Sequence, residues 1–522
     1  MPANIALLPW LSPTFWLSGA VLATLLPARR WQVLALANRA ACAAALVTAA
    51  AALGGGDPAY GATNALAAPL VGLLIAFLGW IIGDYSRNYL CGEPGQTRFV
   101  TAFLATLAAV GSVVAARSLL GVILGWIASS AGLHHLLTYY RDRGAALVVA
   151  HKKFLVSRLA EVCLAAAALL LHHRFGTLDL GALGAAIPAG AAPGADVRLA
   201  AALIAIAVLL KCAQLPLHGW LIQVMEAPTP VSALLHAGVV NLGGYVLVRL
   251  APLISAAPGA RALLVVVGGL SAALAGLVML TRITIKVRLA WSTCSQMGLM
   301  VMECGLGLYD LALLHLLAHA LYKAHAFLTA GDAVRDGVAR RLSAASPRAA
   351  TTTRPLFALV ALLAGLGLTL ASAALWRALL PLPGPSWLAL ALPAFGVATL
   401  CGARAYGHRA WWRNLLTAAL VTQLYFGWHW LLDVPLRIQV YPCPAPLAIW
   451  TVLLFAALYL TQEFILAHPT DRRLDRLYEW VYAGFYLDER FTRLAFRLWP
   501  VRAVPAAPPM PGASFTRSRR LA

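Results

Sequence analysis

The run RLAAALIAIAVLLKCAQLPLHGWL holds Lys211 in the middle of a helix-length apolar stretch. A bare charge at bilayer depth costs about 2.5 to 3.5 kcal/mol on insertion scales, so a chain that keeps one there uses it, by default for ion or proton handling. Glu161, in KKFLVSRLAEVCLAAAALLL, lies three residues after Arg158 and is placed to pair with Lys211 from the neighbouring segment. Such a pair lowers the cost of burial, and it makes the lysine's hold on its proton depend on how near the carboxylate stands. That is the chemistry of a proton-transfer switch. Two plainer roles stay open: a static bridge that pins two helices, or Glu161 held by Arg158 one turn earlier at the membrane surface.

More titratable groups follow along the chain. His236 comes six residues after Pro230 in PTPVSALLHAGVV, and LALLHLLAHALYKAHAFL sets His315, His319 and Lys323 at four-residue steps on one helix face. Groups of this kind, joined by water, can relay protons. Hydrogen-bonded packing is the plainer role for a membrane histidine, and the His315/His319 pair lacks a third ligand for a metal. Pro216, Pro228 and Pro230 follow Lys211, so the helix that bears it is expected to break. Broken helices beside a buried charge mark transport sites, although a simple kink between packed half-helices would read the same.

The elements that position these groups are membrane helices. Of 522 residues 61% are hydrophobic and 11% charged, with a mean hydropathy of +0.78, too apolar for a soluble core. Apolar runs of about twenty residues recur from end to end without the two-residue period of a β-barrel strand, so the fold class is an all-α polytopic membrane protein. Fifteen spans are expected, near residues 5–27, 33–53, 65–83, 99–116, 119–138, 155–172, 198–216, 231–250, 261–281, 286–304, 308–330, 356–376, 386–403, 412–432 and 446–467. The first, with Pro9 and Pro13 and no basic leader, reads as a retained span.

The net charge of +21 is explained by topology. With the N-terminus outside, the inside loops carry Arg29 and Arg30, Arg87 and Arg98, Arg141, Arg143, Lys152 and Lys153, Arg282, Lys286 and Arg288, Arg335, Arg340, Arg341, Arg348 and Arg354, then Arg404, Arg409 and Arg413 and the Arg-rich tail. The loop after Lys211 is the exception to the positive-inside rule, and the opposite loops hold few basic residues, such as Arg117, Arg174 and Arg437. No aromatic and basic stripe outside the membrane suits nucleic acid. The eight cysteines, Cys42, Cys163, Cys212, Cys294 and Cys401 among them, form no CxxC pair and read as packing residues. No Walker sequence, dinucleotide fingerprint or HExxH occurs.

Three segments, LKCAQLPLHGWLIQVMEAPTPVSALLHAGVVNLGGYVLVRL, IKVRLAWSTCSQMGLMVMECGLG and LLHLLAHALYKAHAFLTAG, resemble the antiporter-like subunits of respiratory complex I, chain L or 5, and of the Mrp cation/proton antiporters, over about residues 65 to 380. The resemblance implies two inverted five-helix repeats with broken helices, here residues 99–255 and 256–405, preceded by N-terminal helices over 1–98. C-terminal helices follow over 406–467, then a cytoplasmic interfacial helix and basic tail over 468–522. On that pattern Lys211 matches the first broken-helix lysine, Glu161 the acidic position before it, and His236 the histidine after it; His315, His319 and Lys323 match the central axis. The chain departs from the pattern at Ile127, where a glutamate would follow Trp126, with His134 and His135 further on. It departs again in the second half, where only Arg377 stands near the expected lysine. Arg158, Arg377 and His135 are candidates for gating, since an arginine attracts charge and does not readily exchange a proton.

HKKFLVSRLAE, FGTLDL and GFYLDERFTRL resemble more closely a shorter family, the membrane subunit of the DAB-type inorganic-carbon accumulation complex. The resemblance implies a bacterial inner-membrane subunit with a cytoplasmic C-terminus, conducting protons to drive hydration of carbon dioxide to bicarbonate. The chemistry would lie in a large cytoplasmic partner related to carbonic anhydrases, with zinc in that partner and no cofactor, metal or catalytic residue in this chain. The alternatives are a proton-pumping subunit of a complex I or hydrogenase-type redox enzyme and an Mrp-type antiporter. The aromatic and basic stretch from Trp480 through Phe485, Tyr486, Arg490, Phe491, Arg493 and Arg497 to Trp499 suits an interfacial helix or a docking surface.

Overall fold

A computed structural model describes residues 7–55, 66–140, 143–187, 193–333, 335, 355–380, 386–402, 408–436, 441–468 and 472–499. Arg141, Arg340, Arg341, Arg348, Arg354, Arg404, Arg437 and the Arg-rich tail, which enter the topology argument, lie outside these residues.

The described residues form helices joined by short turns: α1 Leu8–Leu25, α2 Arg30–Gly55, α3 Ala67–Tyr89, α4 Gln96–Ala115, α5 Leu119–Leu137, α6 Gly144–Phe175, α7 Leu180–Ala185 and α8 Ala195–Lys211. The chain continues through α9 Gly219–Ile222, α10 Thr229–Leu234, α11 Leu242–Arg249, α12 Ala251–Ser255, α13 Pro258–Leu280, α14 Ile285–Leu306 and α15 Tyr309–Leu328. The last six are α16 Pro355–Leu379, α17 Trp387–Gly402, α18 His408–Leu436, α19 Ala445–Ala467, α20 Arg472–Tyr482 and α21 Leu487–Leu498. Each of the fifteen expected segments falls on a helix. Ten helical segments among the described residues are long and apolar enough to cross a membrane. The others, α1, α8, α14, α17 and α18, are shorter or less apolar; α14 carries Lys286, Arg288 and Glu303.

Residues 229–249 form the best-buried span, 94% buried, whereas the α19 window is 17% buried. The broken segment therefore sits at the centre, against α3, α8, α14 and α15, and α16 to α19 form an outer group. Backbones approach closely where small residues allow it: a Cβ on Gly298 of α14 would stand 2.5 Å from the Gly268 carbonyl of α13. Without a hydrophobic drive between helices in lipid, close small-residue contact of this kind supplies the packing.

The expected break follows Lys211, the last residue of α8. Ala213 takes a positive φ of 52° and the Leu215–Pro216 peptide is cis. Neighbours satisfy the freed backbone: Ser271 Oγ of α13 accepts from Leu215 N at 3.0 Å, the Gln214 amide donates to the Cys212 carbonyl at 2.8 Å, and Cys294 Sγ of α14 donates to the Ala213 carbonyl at 3.3 Å. Irregular backbone at membrane depth requires such protein partners. A second irregularity, a π-helical turn over Leu235–Val239, carries His236.

One sequence expectation needs correction. Lys152 and Lys153 were read as loop cations before a span beginning near residue 155, but α6 starts at Gly144 and both lysines are buried within it. The apolar stretch AALVVA ahead of them extends the helix by nearly three turns, and both ammoniums find partners inside the protein.

The C-terminal stretch is two helices, α20 and α21, separated at Phe485 and Tyr486, which both take positive φ. It docks on its own chain. Asp488 receives a hydrogen bond from Lys152 Nζ at 2.8 Å and from the Gln223 amide at 2.8 Å, and Gln223 in turn accepts from Lys152 at 3.0 Å. Phe491 lies under the same ammonium, and Trp499 stacks on His151 with ring centroids 4.0 Å apart. Gly219 is required here, because a side chain at that position would strike the Asp488 carboxylate.

Removing one partner of a buried pair leaves the other uncompensated, at a cost of about 3 kcal/mol or more. Asp488→Ala is therefore expected to lower the detergent melting temperature and speed tryptic cleavage within α21 by releasing the helix from α6, and Lys152→Met/Asp488→Leu to regain much of the loss. Calorimetry with timed digestion checks this; undiminished protease resistance in Asp488→Ala would show that α21 is held by other contacts.

Candidate functional site

Three helices bring the first cluster together. α6 supplies Arg158, Glu161 and Lys153, α5 supplies Ser130 and Trp126, and α8 ends at Lys211. Glu161 Oε1 accepts from Lys211 Nζ at 3.1 Å and its carboxylate takes Arg158 Nη2 at 2.7 Å. The two pairings left open by sequence are thus both made, by one carboxylate lying between two cations. Lys211 also donates to Ser130 Oγ at 2.9 Å and stands 5.5 Å from the centre of the Trp126 ring. Lys153 Nζ donates to the Ser130 carbonyl at 2.6 Å. Lys211 and Glu161 are almost fully buried, while Arg158 is 41% exposed and forms the outer edge of the cluster.

The second cluster lies between the π-turn and α15. His236 stacks on Phe327 at 4.5 Å between ring centroids, in electrostatic range of Lys323. His319 stands in range of His315, Lys323 and His236. Both ring nitrogens of His236 and of His319 are buried without a protein partner. Buried polar atoms of this kind are satisfied by water, which suits a relay between groups that do not touch directly. Lys323 is fully buried and donates to Ser292 Oγ at 2.7 Å and the Leu289 carbonyl at 2.9 Å, both on α14.

His315 begins a third group. Its Nδ1 lies 3.1 Å from Glu303 Oε2 and its Nε2 2.8 Å from Gln296 Oε1, so the imidazole bridges a buried carboxylate and an amide of α14. The remaining candidates stand apart. His135 is exposed at the end of α5, its ring 6.1 Å from that of His134 and its carbonyl accepting from Arg98. Arg377 is exposed at the end of α16 and joins none of these clusters.

Sequence reasoning missed Lys153, Ser130, Glu303, Gln296 and Ser292. Glu303 carried the same signal as Glu161, a lone acid in an apolar run, MVMECGLG. Ser130 and Ser292 carried none, because a serine in an apolar helix most often bonds its own backbone.

A multi-pass bundle with a broken helix ending on a buried lysine, paired to a carboxylate and followed by a line of titratable groups, is the architecture of an antiporter-like membrane subunit. The family described as NADH:quinone oxidoreductase/Mrp antiporter, transmembrane, matches residues 116–374. The fold is similar to that in the Mrp complex from Dietzia sp. DQ12-45-1b, with a TM-score of 0.61 and 22% identity over 96% of this chain and 60% of that one.

The chain is 40% identical over 445 residues to the probable inorganic carbon transporter subunit DabB of Hydrogenovibrio crunogenus, covering 82% of each chain. It is 38% identical over 443 residues to subunit DabB2 of Halothiobacillus neapolitanus, covering 82% of this chain and 78% of that one. The chain belongs to the DabB family.

A carboxylate that offsets a buried ammonium is not replaceable by its amide. Glu161→Gln and Glu303→Gln are each expected to reduce ion flux into everted vesicles by about tenfold or more, at unchanged membrane abundance, by removing the charge that Lys211 or His315 depends on. Dye-monitored flux normalised to immunoblot checks this; wild-type flux in Glu161→Gln would make the pair a structural pin.

Proposed function

We propose that the chain is the proton-conducting membrane subunit of an energy-coupled inorganic-carbon accumulation complex. The observation that carries this reading is Glu161 placed between Lys211 and Arg158 at the end of a broken helix. A carboxylate shared by two cations on different helices is a two-position element: a small movement of α8 against α6 leaves it with Arg158 alone and changes the lysine's hold on its proton. His236, His319, Lys323 and His315 continue the path, with water between them. Arg158 gates from the outer edge; His135 and Arg377, outside the clusters, attract charge near the helix ends.

The identity with DabB proteins, over four-fifths of the chain, supports inorganic carbon as the cargo of the complex. The hydration of carbon dioxide to bicarbonate would take place in a large cytoplasmic partner related to carbonic anhydrases, with zinc in that partner. The membrane potential supplies about 2.3 kcal/mol per charge per 100 mV, enough to bias a near-balanced hydration strongly in one direction. The distribution of arginine supports a bacterial inner-membrane location with the N-terminus outside and the C-terminus cytoplasmic, which puts the docked helix α21 on the partner's side.

The test is rescue of a carbonic-anhydrase-deficient bacterium. Co-expression of the chain with its neighbouring large soluble protein is expected to restore growth in air, and Lys211→Ala to abolish rescue at unchanged abundance. No rescue by a well-expressed wild-type pair would point to a redox-driven pump instead, and rescue that survives Lys211→Ala would make the buried lysine structural.

A further inference from the structure

Lys153 has no place in the path just described, yet it is 4% exposed, inside a membrane helix, with its ammonium on a backbone carbonyl and no carboxylate in contact. The charges that reach it are Lys211 of α8 and Glu161 and Arg158 of its own helix. From α5, His134 lies within electrostatic reach of it. Asp488 of α21 and Gln223 beside α9 are taken by Lys152. Around one carboxylate there are therefore three cations, Arg158, Lys153 and Lys211. Arginine keeps its proton and by itself balances Glu161. Two buried lysines then share a site with no further counter-charge among the described residues, and burying both as ammoniums is the costliest arrangement available.

The geometry removes this cost. Both lysines bond the same residue, Lys211 the hydroxyl and Lys153 the carbonyl of Ser130. On the surface side, His134 carries a buried Nδ1 without a protein partner and lies beside the exposed His135. We propose that Lys153 is a second proton carrier, sharing one proton with Lys211 beside Ser130 and connecting that pair to the surface through His134. In the exchange an N–H bond of one ammonium breaks and one forms on the free amine of the other, so the pair keeps a single positive charge throughout. The inference rests on the proton-conducting reading above and adds its entry point.

The experiment uses the full chain with its co-purifying subunits, reconstituted into lipid vesicles containing a pH dye, with proton uptake driven by a potassium diffusion potential. Wild type, Lys211→Ala, Lys153→Met, Lys153→Arg and Lys153→His are compared at equal incorporation across pH 5.5 to 8.5. Lys153→Arg keeps the charge and the bond to Ser130 but does not exchange a proton, so it is expected to lose flux by about tenfold or more, as Lys153→Met does. Lys153→His is expected to restore part of the flux, with its pH midpoint displaced toward the acidic range where imidazole titrates. Wild-type flux and pH profile in Lys153→Arg would overturn the proposal, because a charge that only stabilises the helix contact survives that change. Should Lys153→Met fail to incorporate, the arginine and histidine variants decide. Flux in Lys211→Ala equal to wild type, or none in wild type, would overturn the conduction reading and this proposal with it; flux lost in Lys211→Ala but kept in Lys153→Arg would overturn this proposal alone.

Discussion

The cost of keeping Lys211 charged at membrane depth organises the structure around it. An ammonium there needs a counter-ion and hydrogen-bond acceptors, and these come from two other helices: Glu161 from α6 and Ser130 from α5. That fixes the packing of α5, α6 and α8. Because α8 ends at the lysine, its last carbonyls and the amides of the break also need partners, which obliges α13 and α14 to supply Ser271 and Cys294. The close approach of α13 and α14 through Gly268 and Gly298 lets side chains of both helices reach the same break. One buried charge thus accounts for the adjacency of five helices.

A switch and a pin differ in how the partners are shared. In a pin, each charge has a private partner and nothing is gained by moving. Here Glu161 serves Arg158 and Lys211 together, and Lys211 divides its donors between Glu161 and Ser130. Glu161 and Lys211 therefore each retain a polar partner when their mutual contact lengthens, unlike the members of an isolated buried pair. His236 and His319, buried with neither ring nitrogen satisfied by protein, show the complementary condition. Ring nitrogens left this way are available to bond water, the condition that the proposed path requires.

Much of this was legible in the sequence, for definite reasons. Apolar runs of spanning length without a two-residue period fix helices, because only helices and closed barrels satisfy their backbone in lipid, and the prolines after Lys211 announce the break. The pairing of Glu161 with Lys211 was legible because an ionisable residue in an apolar run demands a partner. The burial of Lys152 and Lys153 was not. Two adjacent lysines after a polar turn satisfy the positive-inside pattern, and their inward orientation depends on distant partners: Asp488, more than three hundred residues away, for Lys152 and the Ser130 carbonyl of α5 for Lys153. Nor could sequence tell that the C-terminal aromatic and basic stretch folds back on α6: amphipathic periodicity is the same whether its apolar face meets lipid or protein, and only the fit of Asp488 against Gly219 decides it.

The departures from the antiporter pattern are best understood as one redistribution of charge. Ile127 stands beside Trp126 at the position where the resemblance leads one to expect a glutamate, so α5 offers Lys211 no acid there. The α6 carboxylate takes over, but it is already engaged with Arg158, so the site holds more positive charge than negative. Lys153 deepens that excess, and an excess of buried cations is relieved by letting one of them lose its proton. In the proposed exchange a pair of lysines holds one proton between them, without a second carboxylate. In the second half, Glu303 with His315 and Gln296 provides the buried acid that Arg377, exposed at the end of α16, is not positioned to complement. The buried titratable groups of the proposed path therefore gather on α6, α8, the π-turn, α14 and α15, and α16 to α19 lie outside that group.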